Sequence, residues 1–102
     1  MMSGANSAWA DFLAAMASAG IRTKDKVAPS TKIIRFHVEG DKNGSKNGWM
    51  VFHEDHPASG AFGSYRFGRS ETWSVDKPER MSQEDRAELQ RRMAETRRQR
   101  AA

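Results

Sequence analysis

The chain has 102 residues, with 17 Lys and Arg against 13 Asp and Glu, three His and no Cys. That length suits one domain with a small core, and the lack of cysteine excludes disulfides and zinc ribbons and fits a reducing compartment, so a cytoplasmic location is expected. The formal net charge of +4 favours polyanionic partners moderately, while the absence of a signal-peptide pattern and of any run near the ~20 apolar residues of a membrane span predicts a soluble chain.

Residues 1–6 are expected to be disordered. Trp9, Phe12, Leu13 and Met16 follow i, i+3, i+4, i+7 spacing behind Asn6 and Ser7 as N-cap candidates, which predicts an amphipathic helix. Gly20 with Ile21 supplies a Schellman ending. Arg22 to Ser30 carries turn formers and charges without periodicity and reads as a connecting loop.

From Thr31 to Glu39 the residues alternate, with Ile34, Phe36 and Val38 on one side and Ile33, Arg35 and His37 on the other, the pattern of a half-buried strand. Asn43-Gly44 and Asn47-Gly48 tolerate positive φ and mark a hairpin connection before a second strand, Trp49 to His53. Pro57 and Gly60 punctuate the chain ahead of short runs at Ala61 to Arg66 and Glu71 to Val75, which completes a meander of three or four antiparallel strands.

Beyond Pro78 the chain becomes charged. Ser82 is placed to cap a helix with Asp85 three residues later, and EDRAELQRRMAETRRQR is rich in helix formers. Its apolar stripe is thin: Ala87, Leu89, Met93 and Ala94. The helix is therefore expected to project into solvent or to fade into a disordered end instead of docking along its length. The basic stretch Arg97 to Arg100 either extends a nucleic-acid footprint or begins an interdomain linker. The expected architecture is α+β, with one N-terminal amphipathic helix on a small antiparallel sheet over 7–78 and a charged helical tail or linker over 79–102.

Function is sought between Gly40 and Trp73, where rings recur between glycines and cations. Phe36, Phe52 and Phe62 are expected to fill the core. Trp49, Tyr65, Phe67 and Trp73 are candidates for stacking on bases, with core packing as the competing role. Lys42, Lys46, Arg66 and Arg69 are candidates for phosphate contact, or else cations that keep a loop solvated. The glycines at 44, 48, 63 and 68 match neither G-x-x-x-x-G-K-[ST] nor G-x-G-x-x-G, and turn chemistry suffices to explain them. His53 and His56 form the one cluster with metal-ligand chemistry, and a site would need more ligands than distant His37 adds. No metal, cofactor or catalytic constellation is expected.

The run Phe36-His37-Val38-Glu39-Gly40-Asp41-Lys42, then Lys46-Asn47-Gly48-Trp49, then Gly60-Ala61-Phe62-Gly63-Ser64-Tyr65-Arg66 with Gly68 and Ser70 to Trp73 resembles the N-terminal module of phage- and plasmid-type DNA primases. The resemblance extends from about Ile33 into the Arg-rich tail. It implies a module that precedes a TOPRIM catalytic domain and sometimes a helicase, joined through a Glu/Arg-rich helical segment. After Phe62-Gly63 the family tends to carry an acidic or amide residue followed by Trp, where this chain has Ser64-Tyr65. The TOPRIM constellation of a Glu and an Asp-x-Asp pair is absent here, so the resemblance implies an accessory, non-enzymatic role in DNA replication. The expected function is to help hold single-stranded DNA or RNA through Lys42, Lys46, Trp49, Tyr65, Arg66, Phe67, Arg69 and Trp73, as a monomer without cofactor. The competing expectation is a protein interaction module that docks a replication protein to a helicase or other partner.

Overall fold

The computed structural model describes residues 4–101. Helix α1 spans Gly4–Ser18, so Asn6 and Ser7 lie inside its first turn instead of capping it. Of the residues expected to be disordered, 4–6 are helical and 1–3 lie outside the described residues. The helix ends in the predicted Schellman motif: Ile21 N donates to Met16 O at 2.9 Å and Gly20 N to Ala17 O at 3.0 Å. Gly20 takes the required left-handed φ of 86°, and buried Ile21 packs with Met16 in the same apolar cluster.

Four antiparallel strands follow in the order β1 Ile34–Phe36, β2 Gly48–His53, β3 Ser59–Ser64 and β4 Arg69–Ser74. Register assigns the faces. Met50 sits opposite Phe62, and Phe52 opposite Gly60, which in turn pairs with Trp73; these residues face α1 together with Phe36. On that side Phe12 lies within 6 Å of Trp9, Phe52, Phe62 and Trp73, ring centroid to ring centroid. Phe36, Phe52 and Phe62 are all buried there, as their alternation predicts.

The first strand is shorter than Thr31 to Glu39 because other groups take its outer donors. The Asp25 carboxylate accepts from His37 N at 2.9 Å, and Arg22 O accepts from Glu39 N at 2.7 Å. The segment read as a loop thus runs along this sheet edge and covers it. The third and fourth strands also shift from the expected Ala61 to Arg66 and Glu71 to Val75, since Tyr65 to Gly68 form the turn between them.

Two glycines assigned to turns are strand residues instead. A Cβ on Gly48 would collide with the Phe36 ring, and one on Gly63 would collide with the Arg69 carbonyl and the Trp49 indole. Each glycine is needed because an aromatic ring lies flat across the strand.

The second face of the sheet carries α2, Gln83–Ala101, entered through a short 3-10 turn at Pro78–Arg80. Ser82 Oγ accepts from Asp85 N at 3.1 Å, the capping contact expected from the sequence. The tail does not project into solvent, contrary to expectation. Arg92, with its side chain 10 % exposed, donates to Pro57 O at 2.6 Å and to Ser59 Oγ at 2.7 Å. Gln99 accepts from Ile33 N at 2.7 Å and donates to Thr31 O at 3.2 Å. Thr96 is buried, and Arg100 lies over the Trp49 ring at 4.6 Å. Docking rests on polar side chains that satisfy the sheet's free groups. No helix among the described residues is long and apolar enough to cross a membrane.

The docking makes Arg92 the anchor of α2. Arg92→Ala removes charge-assisted hydrogen bonds each worth about 1.5–3 kcal/mol and leaves Ser59 and Pro57 O without their donor. Amide exchange is expected to accelerate in α2 and in the Ser59 end of β3 while α1 keeps its protection. Unchanged protection of α2 would contradict the docking.

Candidate nucleic-acid interface

The β1–β2 loop and the β3–β4 turn meet at one end of the sheet. Asp41 joins them: its buried carboxylate accepts from Arg66 Nη1 at 2.7 Å and from Asn47 Nδ2 at 3.3 Å. Tyr65 N donates to Asn47 O at 2.8 Å, which extends the β2–β3 ladder by one step. The turn closes through Gly68, whose φ of 63° is open to glycine at little cost. An exposed hairpin tip is thereby fixed to a buried anion.

Above this frame stand the rings and cations. Phe67 is 67 % exposed and Tyr65 40 %. The Arg66 guanidinium lies 4.9 Å from the Phe67 ring centroid, and Arg35 lies 4.8 Å from that of Tyr65. Arg35 Nε is held by Lys46 O at 3.0 Å, and Lys46 Nζ is 3.5 Å from Asp25 on an exposed ion pair. Lys42 is exposed on the same loop. Flat faces with guanidinium groups beside them offer bases a stack and phosphates a donor.

Of the residues nominated from the sequence, Lys42, Lys46, Tyr65, Arg66 and Phe67 come together here. Trp49 does not: it is 1 % exposed and packs beneath α2 with Val51 and Ala61. Trp73 packs against Phe12 and Phe52 on the opposite face. Arg69 is engaged by Ala19 O at 2.8 Å, just past the end of α1, and by Glu71 at 3.0 Å, a favourable use of a cation at a helix C-terminus. Arg35 was not nominated, although its alternation with Ile34 and Phe36 already placed it on the second face. Its stacking on Tyr65 required the register to be known.

The histidine pair separates. His56 Nε2 is 3.0 Å from Asp85, whereas burial and the neighbouring Arg92 push the His53 imidazole below its ordinary value.

The Arg66 hydrogen bond holds the Asp41 carboxyl below its ordinary 3.8. A carboxylate lowered by folding stabilises the protein above its unfolded value, and that contribution disappears as pH falls through the folded value. Asp41→Asn should therefore lower the melting temperature at pH 7, with the gap to wild type closing between pH 4 and the acid limit. A gap that stayed constant across that range would show that charge on Asp41 is not what ties the two loops.

Comparison with protein-family models, with curated proteins and with solved structures finds no match to this chain.

Proposed function

We propose that this chain is a non-catalytic accessory module that holds single-stranded DNA for a phage- or plasmid-type primase. The observation that carries the reading is the pair of exposed rings, Tyr65 and Phe67, on a turn pinned by buried Asp41 and flanked by Arg35, Lys42, Lys46 and Arg66. Stacking on such rings tolerates any base, and the cations follow the backbone, which suits a template whose sequence varies. The primase context is supported by the resemblance of Phe36 to Trp73 to that family's N-terminal module.

The test is fluorescence anisotropy of labelled single strands and of the matching duplex across a salt series. Binding should prefer the single strand and weaken linearly in log-log form as salt rises. Absence of salt-sensitive binding would sink the reading, and equal affinity for the duplex would remove the role of the rings.

A further inference from the structure

We infer that the groove between α2 and β4 receives a backbone phosphate of the same single strand, which rests on the reading above. Arg35, Trp49, Gly63 and Ser70 form one cross-strand row on the second face of the sheet. The indole Nε1 of Trp49 lies against Gly63, and so points from β2 toward β4. There the row opens into a groove of about 490 Å³ bordered by Ser70, Thr72, Arg97 and Arg100.

Two buried donors at this groove have no acceptor. Trp49 Nε1 is buried with no hydrogen-bond partner, and so is Arg100 Nε, whose guanidinium carbon lies 4.6 Å above the indole. The α2 carboxylates Glu88 and Glu95 are taken by Arg91, Arg92 and Arg98, which leaves Arg97 and Arg100 without a carboxylate among the described residues. Glu71 borders the groove through its backbone, since its register places its side chain opposite Phe62 on the other face, where it pairs with Arg69. Unpaired buried donors are costly and call for an explanation by a partner from outside the chain.

A phosphodiester meets these demands with several acceptor oxygens and a permanent negative charge. A shift of the Arg100 guanidinium off the ring toward the groove opens the indole N–H to the same oxyanion. The groove begins beside the exposed rings: Ser70, on its border, pairs with Gly63, two residues before Tyr65 on the same strand face. A strand stacked on Tyr65 and Phe67 runs past Ser70 and places a phosphate beside Arg100 and Arg97.

The test is an NMR titration of the full chain labelled with nitrogen-15, in which Trp49→Phe identifies the Trp49 indole among those of the three tryptophans. Short oligo-dT, and separately inorganic phosphate at constant ionic strength, should shift that resonance. In anisotropy, Arg97→Gln with Arg100→Gln should make the salt slope of oligo-dT binding shallower by about 0.7 per lost contact, about 1.4 for both, and Arg100→Lys should restore half of it. DNA that binds without moving the Trp49 indole, with an unchanged slope in the double variant, overturns the groove and leaves the Tyr65–Phe67 reading standing. An indole that responds to phosphate while no DNA binds overturns the nucleic-acid backbone as the source, and the function with it.

Discussion

Replacing Tyr65 and Phe67 together by alanine is expected to weaken single-stranded DNA binding by about thirtyfold or more while leaving the melting temperature nearly unchanged. The loss follows from about 1–3 kcal/mol per stacked base, with 1.4 kcal/mol corresponding to a factor of ten. The unchanged stability follows from position. Both rings are exposed, and the turn beneath them is held by the Arg66–Asp41 pair and by the bond from Tyr65 N to Asn47 O, neither of which the substitutions remove. Each single variant should give a smaller loss of the same sign. Affinity retained in the double variant would mean that the rings do not carry binding, and the proposed function would lose its main support.

The largest effect on stability is expected at Phe12. This side chain is 0 % exposed and stands where α1 meets the sheet, with Trp9, Phe52, Phe62 and Trp73 around it. Its ring also lies over Gly60, which has no side chain of its own to fill the space. Phe12→Ala leaves a cavity bordered by rigid rings that cannot collapse into it, so the cost should fall at about 3–5 kcal/mol. Against the 5–15 kcal/mol typical of a whole domain this is severe, and the melting midpoint should drop by more than about 12 °C. Phe12→Leu should recover much of the loss. A Phe12→Ala variant that melts within a few degrees of wild type would mean that α1 contributes little to the core.

Much of the fold was legible in the sequence because its signals are local. The spacing from Trp9 to Met16 marks the buried face of α1, and Gly20 with Ile21 marks its end. Alternation from Ile34 to Val38 separates the two faces of the first strand even though Asp25 and Arg22 shorten the strand itself. Ser82 caps α2 as its spacing from Asp85 requires.

The candidate site was legible only in part. Lys42, Lys46, Tyr65, Arg66 and Phe67 share one end of the sheet, as expected of residues around two neighbouring turns. Trp49 and Trp73 have the same residue type and comparable local surroundings, and nothing in them tells a stacking platform from a packing ring. Asp41 is an acid in a polar loop with no local signal of burial, yet its buried carboxylate joins the two turns.

The sequence by itself determined the helices and strands, their order and, through Phe36, Phe52 and Phe62, the core face of the first three strands, because apolar periodicity records burial directly. Tertiary structure decided which rings remain free. Helix α2 covers Trp49 through Arg92, Gln99 and Arg100, long polar side chains that any hydropathy pattern assigns to water. Their stems pack and their heads find partners 33 to 68 residues away in the chain. Such contacts stabilise only once the sheet exists, so no local segment of the sequence could announce them.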